Sequence, residues 1–147
     1  MKSIFLLASL AACALAQRLH IAEPTTGQVV GAGQYFTAEL HMDNTLSSMS
    51  QKSVTIVATA CYDVCDSPDQ WGPGTVLYNG SFAPQYNASA PQKGLYQDFR
   101  VQLPEGWPAG ESVLAVAHQF TVGASEIPVF DYTTVHFNVT DPENPGN

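Results

Sequence analysis

Apolar and polar side chains alternate along "FDYTTVHFNVT", residues 130–140. One side of it carries Thr133, Val135, Phe137 and Val139, and the other carries Tyr132, Thr134, His136 and Asn138. Successive side chains of a β-strand point to opposite faces, so this alternation indicates a strand with one face buried and one in water. Because no long segment of the chain shows a helical period, the sequence predicts an all-β protein.

Similar runs recur along the chain and are separated by turn residues. They are RLHIAE (18–23), YFTAELHM (35–42), SVTIVATACY (53–62), GTVLYNG (74–80), YQDFRVQLP (96–104) and SVLAVAHQFTV (112–122). The last of these is apolar on nearly both faces, as a central strand is. About seven short strands of this kind are typical of a single immunoglobulin-like β-sandwich. We expect its core to contain Phe36, Leu40, Ile56, Phe99, Val101, Val135 and Phe137.

The N-terminal segment, MKSIFLLASLAACALAQ, has the pattern of a secretory signal. Lys2 supplies a positive charge, and the apolar run that follows ends in Ala14-Leu15-Ala16, the small-x-small pattern that signal peptidase cuts. This run is shorter than the roughly 20 residues of a membrane span. We therefore predict a cleaved signal peptide over residues 1–16, a secreted, extracellular domain over 17–140 and a disordered tail over 141–147.

Secretion decides how the cysteines are interpreted, because cleavage removes Cys13 and leaves Cys61 and Cys65. An even pair in an oxidising compartment predicts one disulfide. The chain must turn between them, since an extended strand would separate their Cα atoms by about 13 Å and a disulfide needs less than about 7 Å. The alternatives are a zinc site, for which no His or further Cys lies at ligand spacing nearby, and a redox dithiol, which normally has CxxC spacing.

The charge balance is acidic. The full sequence has 5 Lys and Arg against 13 Asp and Glu, a formal net charge of −8, and the loss of Lys2 makes this 4 against 13, or −9. Nucleic acids and anionic membranes attract basic patches, so the composition argues against both as partners. It does not name a partner by itself.

Three sequons satisfy the pattern N-x-S/T without Pro, at Asn79, Asn87 and Asn138. Together with a signal peptide they predict an N-glycosylated eukaryotic protein. Asn79 and Asn87 bracket a predicted loop, and Asn138 lies on the polar side of the last strand.

No catalytic constellation is visible at usable spacing, so we expect neither enzymatic activity nor a cofactor. The sequence lacks a Gly-x-Ser-x-Gly elbow and an HExxH motif, and its acids lie mainly in turns. A copper site would need His as the first mature residue, but His20 lies three residues beyond Gln17. His118 and His136 fall in consecutive strands and could bind a metal as a cross-strand pair, although strand-surface histidines without a role are commoner.

Aromatic side chains are the remaining candidates for binding. The predicted loop LYNGSFAPQYNASAPQKGLY, residues 77–96, is long, and loops on a rigid sandwich usually carry function. Its aromatic residues, of the types that anchor interfaces, are Tyr78, Phe82, Tyr86 and Tyr96. We take this segment as the candidate partner-binding loop. A sugar-stacking platform is the alternative, and it would combine these tyrosines with Tyr62, Trp71 and Trp107.

Three segments resemble a group of fungal small secreted proteins. They are LHIAEPTTGQVVGAGQYFTAEL (19–40), GTVLYNGSFAPQY (74–86) and SVLAVAHQFTVGAS (112–125). The resemblance runs from about His20 to Thr140, and the better-known relatives are the necrosis-inducing secreted protein (NIS-type) effectors of plant-associated fungi. The Gly-rich opening also resembles, over a shorter stretch, cell-wall glucan-assembly proteins with an immunoglobulin-like domain.

The first resemblance implies a virulence effector that suppresses plant immunity by binding immune receptor-associated kinases, with the host cytoplasm as a second location. It implies no catalytic residues. The alternative is a cell-wall or carbohydrate-associated binding module without catalysis. Secretion without an anchor or a Ser/Thr-rich stalk favours the effector, whereas exposed rows of aromatic side chains would favour the module.

Overall fold

The structure, a computed structural model, describes residues 19–43, 49–62 and 65–141. The predicted signal peptide and all but the first residue of the predicted tail lie outside these ranges. The strands are β1 (Leu19–Glu23), β2 (Val29–Gly31), β3 (Tyr35–Met42), β4 (Met49–Ala60), β5 (Thr75–Ser81), β6 (Gln85–Tyr86), β7 (Leu95–Gln102), β8 (Gly110–Val122) and β9 (Ile127–Thr140). Short 3-10 turns cover Pro68–Gln70 and Pro91–Lys93. None of the helical segments within the described ranges has the length and apolar character needed to cross a membrane.

The strands pack as two sheets, which confirms the predicted immunoglobulin-like β-sandwich. The four-stranded sheet has the order β1-β3-β7-β6, and the five-stranded sheet has the order β2-β9-β8-β4-β5. The pairing of β2 with β9 is parallel, whereas the pairings among the other strands are antiparallel. The two strands beyond the expected seven are β2 and β6, which are 3 and 2 residues long. Strands that short leave almost no alternation for a sequence pattern to detect.

The core lies between the sheets, where their inward side chains meet. The predicted core residues that are buried are Leu40, Ile56, Phe99, Val101, Val135 and Phe137. Phe36 is half-buried, and its ring centroid lies 6.0 Å from that of Phe137. Each large side chain that is fully buried contributes about 1.5–3 kcal/mol to stability. Burial of the inward-facing side chains is therefore the main contribution to the stability of the fold.

The register of the four-stranded sheet decides which outward side chains meet. β3 and β7 pair without a shift from Tyr35 opposite Gln102 to Met42 opposite Leu95. β1 joins β3 with an irregularity between Ile21 and Glu23. As a result, the outward residues of these strands form rows across the sheet instead of staggering past one another.

The cysteines close a short connection at the end of β4. The structure joins Cys61 and Cys65 in a disulfide, as the sequence predicts, and their Cα atoms lie 5.5 Å apart. Asp63 and Val64, which separate them together with Tyr62, lie outside the described residues. The chain therefore turns back at the end of the strand, far short of the extended separation.

Candidate functional site

The outer side of the four-stranded sheet carries a concentration of ionisable and aromatic side chains. Glu39 and His41 of β3 point outward because Leu40, between them, points into the core. The register then places Asp98 of β7 opposite Glu39. We call this surface the polar face, and its members are His20, Tyr35, Glu39, His41, Lys93, Tyr96, Asp98 and Arg100.

Glu39 is almost fully withdrawn from water although it lies on the outer side of a sheet. Its side chain is 9% exposed. Its Oε1 lies 2.5 Å from Nε2 of His41, and Lys93 donates a hydrogen bond to Oε2. Burial is the largest single influence and favours the neutral acid, but Lys93 and His41 together lower the pKa of Glu39 below its ordinary value. The same contact, a hydrogen bond to Glu39, raises the pKa of Lys93.

Asp98 completes a pair of carboxyl groups with Glu39. Loss of hydration is the first cause that raises the pKa of Asp98, and the charge of Glu39 and a hydrogen bond with it follow. Two like charges in contact repel, so one carboxyl group ionises and its neighbour holds a proton more tightly. Asp98 therefore adds a second carboxyl group beside Glu39 on the same side of the sheet.

Rings extend the polar face across three strands. The ring centroid of His20 lies 5.1 Å from that of His41, and His41 lies 5.6 Å from Tyr96. Lys93 Nζ stands 4.9 Å from the ring centroid of Tyr96, close enough for a cation–π contact. This row holds each ring against its neighbour and limits how far the side chains can move.

Two open cavities adjoin this surface. One includes Asn87, Tyr96 and Asp98 in its lining. The other includes His20 and Lys93. The polar face therefore offers recesses as well as charges to a partner.

The prediction that Phe82 is part of the partner-binding loop is wrong. Phe82 is 2% exposed, and its ring centroid lies 6.3 Å from that of Phe99 and 5.3 Å from that of His118. The cause is that the pairing of β5 with β4 continues one residue further, through a hydrogen bond from Phe82 N to the Lys52 carbonyl (3.3 Å). Strand alternation then turns Phe82 into the core, where it cannot anchor a partner.

The other three aromatic residues of that loop have different positions. Tyr78 is half-buried, with its ring centroid 4.6 Å from that of Phe99, so it too belongs mainly to the core. Tyr86 is 58% exposed. Tyr96 lies in the row of rings, and its hydroxyl accepts a hydrogen bond from Asn87 Nδ2 at 3.1 Å. Only Tyr96 of the predicted set therefore belongs to the polar face, because Tyr86 pairs with Leu95 and so lies on the other side of the sheet, at its edge.

The tryptophans do not form the exposed platform that sugar stacking would need. Trp107 is 8% exposed, and its Nε1 donates a hydrogen bond to Ser112 Oγ at 3.0 Å. Trp71 is half-buried, and its Nε1 donates to the Cys65 carbonyl at 3.4 Å. Each indole N–H is therefore hydrogen-bonded inside the protein, and both rings are structural.

The histidines of β8 and β9 are not brought together. The register places Asp131 opposite His118, and the Nδ1 of His136 instead lies 2.9 Å from Oε1 of Glu111. His118 is 2% exposed, and its Nε2 donates to Gln51 Oε1 at 2.7 Å. Burial lowers the pKa of His118 to about 4, against the opposing charge of Asp131. His118 is thus a neutral core residue, and the cross-strand metal pair is not formed.

The three sequon asparagines are all exposed. Asn79 lies within β5 and not at the edge of the loop, and its Oδ1 accepts a hydrogen bond from Thr55 Oγ1 at 3.2 Å. Asn87 and Asn138 are accessible at a loop and on the outer side of β9. Each site can be reached by a glycosylating enzyme, and occupancy stays a prediction.

Sequence reasoning missed Glu39, Lys93 and Asp98 as members of a site. Alternation does mark Glu39 and Asp98 as outward-facing, and that signal was available. It does not say that they stand opposite each other, because this depends on the register of β3 and β7. Lys93 comes from a 3-10 turn that follows β6, and only the folded chain brings it to Glu39.

Comparison with models of protein families matches residues 14–140 to the Nis1 family. This span includes all nine strands of the described residues. Comparison with curated protein sequences gives no match.

Among solved structures, the chain is similar to a single-residue variant of the superoxide reductase (neelaredoxin) from Ignicoccus hospitalis, with a TM-score of 0.53 and 15% identity over 95% of this chain and 100% of that chain. A cellulose-active LPMO, CelS2, in complex with copper gives a TM-score of 0.53 and 11% identity over 78% of this chain and 54% of that one. Fusolin of the Wiseana spp. entomopoxvirus gives 0.53 and 16% over 82% and 46%. Identities this low show a shared β-sandwich fold alone.

Proposed function

Since the chain belongs to the Nis1 family, we propose that this effector-like protein is secreted and acts by binding a host protein through the polar face. The family resemblance points to the cytoplasmic domains of plant immune receptor-associated kinases as the class of partner. Suppression of immune signalling is then the consequence of that binding. The proposal assigns the chain a binding role without catalysis.

The observation that carries the proposal is the near-burial of Glu39 on an outward sheet surface. An antiparallel sheet that faces water needs only separate polar side chains on its outer side. Withdrawal of a carboxylate from water costs hydration free energy, which Lys93 and His41 must offset. Groups held in this way are pre-organised, so a partner that binds them causes a smaller loss of conformational entropy.

The chemistry of the surrounding side chains fits a protein surface as the partner. Arg100 lies with its guanidinium carbon 4.3 Å from the ring centroid of Tyr35, a ring that is 57% exposed. Tyrosine and arginine are enriched among the residues that dominate binding energy at protein interfaces. Lys93 and Asp98 add both signs of charge, which suits a mixed protein surface better than a uniformly charged polymer.

The position of one sequon affects this surface. Asn87 lines the cavity beside Tyr96, and a glycan there would cover part of the polar face. Unglycosylated protein and the Asn87→Gln variant are therefore the forms in which binding is best measured. Asn138→Gln is the matched control, because Asn138 lies on the other sheet.

The test is capture of purified plant immune receptor kinase cytoplasmic domains by the mature protein, with insoluble chitin and glucan offered in parallel. We expect the mature protein to retain at least one kinase domain and to bind neither polysaccharide. Retention on a polysaccharide without capture of any kinase domain would overturn the proposal in favour of a cell-wall module.

A further inference from the structure

A second cluster of functional side chains lies at the end of β4, away from the polar face. Ligand atoms of Cys65, Glu111 and His136 all lie within 4.8 Å of one another. They come from three separate parts of the chain, which are the cysteine loop, the start of β8 and the last third of β9. No His or further Cys lies near the cysteines along the chain, but the fold brings one histidine, His136, and one carboxylate, Glu111, to Cys65.

Glu111 organises the cluster. The register places Glu111 opposite Asn138, so His136 is its diagonal neighbour on β9. The two Glu111 carboxylate oxygens are shared: Oε1 lies 2.9 Å from His136 Nδ1, and Oε2 accepts a hydrogen bond from Cys65 N at 3.4 Å. The Glu111 carbonyl accepts a hydrogen bond from Cys61 N at 3.1 Å. One residue thus ties both cysteines to the imidazole.

We propose that reduction of the Cys61–Cys65 disulfide turns this cluster into a zinc site with the ligands Cys61, Cys65, Glu111 and His136. Thiolate, imidazole and carboxylate are the donors that zinc takes in proteins, and C-x₃-C falls within the usual C-x₂₋₄-C spacing. Cys65, Glu111 and His136 already lie together, and the Cys61 sulfur, which is bonded to that of Cys65, joins them by rotation of its side chain once the bond is opened. This inference does not depend on the polar face.

The disulfide form cannot offer the same site, because the ligand is the thiolate and a bonded sulfur carries no charge. A dithiol reductant supplies two electrons and two protons, becomes a disulfide itself and leaves two thiols on the protein. Zinc then displaces the two thiol protons to solvent. The double positive charge of zinc also offsets the repulsion between the two thiolates and the nearby Glu111 carboxylate.

Hydrogen bonds also hold the cysteine loop, in addition to the disulfide. Tyr62 N donates to the Gln70 carbonyl at 3.0 Å, and Gly72 N donates to the Ala60 carbonyl at 2.7 Å. The Trp71 indole donates to the Cys65 carbonyl at 3.4 Å. Zinc bonds of about 2.0–2.3 Å require ligand atoms roughly 3.3–3.8 Å apart. The ligand atoms of Cys65, Glu111 and His136, which lie within 4.8 Å of one another, therefore have to approach by at most about 1.5 Å.

The experiment is a zinc titration of the mature protein against a chromogenic chelator, before and after reduction with a phosphine. We expect the reduced chain to bind one zinc ion per chain at least tenfold more tightly than the oxidised chain. His136→Ala and Glu111→Gln should each weaken zinc binding by the reduced chain at least tenfold. Glu105→Gln is the matched control for Glu111→Gln, since Glu105 lies exposed in a turn elsewhere, and it should leave zinc binding unchanged.

Cobalt gives a direct readout of sulfur ligation. Thiolate-to-cobalt absorption should arise only in the reduced protein and should weaken in Cys65→Ser. Zinc should also raise the melting temperature of the reduced chain and not that of the oxidised chain. Equal zinc affinity before and after reduction, wild-type affinity in both ligand variants, or a reduced chain that stays unfolded with zinc present would each overturn the proposal.

Discussion

Glu39 of β3 and Asp98 of β7 stand directly opposite each other, and both side chains lie on the outer side of the sheet. Lys93 and His41 complete the shell around Glu39. One member of the pair therefore ionises more easily than an isolated acid, and the other holds its proton more tightly. The pair gives the polar face a dependence on pH that isolated surface acids do not have.

Asp98→Asn should stabilise the protein near neutral pH. The folded pKa of Asp98 is raised above its ordinary value of 3.8, so its contribution to stability is full below that value and is lost as the pH rises through the folded pKa. The amide keeps a donor for Glu39 and removes the repulsion. The gain is at most about 1 kcal/mol at about pH 7, because water screens a surface pair.

The gain from Asp98→Asn should vanish at a pH of about 2.5, well below the ordinary pKa of 3.8, where the carboxyl group of the wild type is protonated in both states. Calorimetric melting temperatures at the two pH values measure it. Glu105→Gln, which removes the same charge from an exposed turn, is the control. A variant that is less stable than the wild type near neutral pH contradicts the assigned pair.

Phe82→Ala should destabilise the fold by about 3–5 kcal/mol, as expected for loss of a buried phenylalanine. Phe82 is 2% exposed and packs against Phe99. Tyr86→Ala, four residues further along the same loop and 58% exposed, should change stability by no more than about 0.5 kcal/mol. Chemical denaturation of both variants decides the point, and similar losses in the two would show that Phe82 is not a core residue.

The strands and the core could be predicted from the sequence because alternation has a physical cause within each strand. Leu40, Ile56 and Phe137 are inward-facing from local pattern alone, and all three are fully buried. Phe82 escaped this reasoning because its strand pairing extends into a segment whose Pro and Asn residues predict a loop.

The site depends on relationships between strands, which a single sequence does not display. Glu39 stands opposite Asp98 because of the register of β3 and β7. Alternation within one strand does not reveal which residue of another strand lies opposite. Glu111 reaches Cys65 across 46 positions of sequence. Ligand spacing along the chain therefore gave no sign of the cluster at the cysteines.

His118 should make the protein less stable as the pH falls. Its pKa is lowered by burial to about 4 from 6.5, so its contribution is present above the unfolded value and is lost as the pH falls toward the folded value. A shift of this size corresponds to about 3 kcal/mol. His118→Gln keeps a donor for Gln51 and does not titrate, so its unfolding free energy should fall by about 3 kcal/mol less than that of the wild type between about pH 7 and pH 4.

Denaturation curves at several pH values measure this difference for His118→Gln. His20→Gln, at an exposed position, should follow the wild type. If the His118→Gln curve also parallels the wild type throughout, His118 is not the buried neutral imidazole described above.

Loss of the disulfide should cost only a little stability. Cys61→Ala with Cys65→Ala should lower the free energy of unfolding by about 2 kcal/mol, because the closed loop is short. The hydrogen bonds of Tyr62, Trp71 and Gly72 hold the loop independently. Intact-mass analysis before and after alkylation checks the pairing first, and free thiols in the untreated secreted protein would refute it.

The binding role of the polar face is tested most directly by the affinity of a captured kinase domain for two matched double variants. Tyr35→Ala with Arg100→Ala removes two exposed side chains of the polar face. Phe130→Ala with Tyr132→Ala removes rings that are 74% and 78% exposed on β9 of the other sheet. With melting temperatures unchanged, the first variant should bind at least about tenfold more weakly, as expected for loss of interface anchors, and the second should bind like the wild type. Full affinity in the first variant together with loss of binding in the second would contradict the assignment and place the interface on β9.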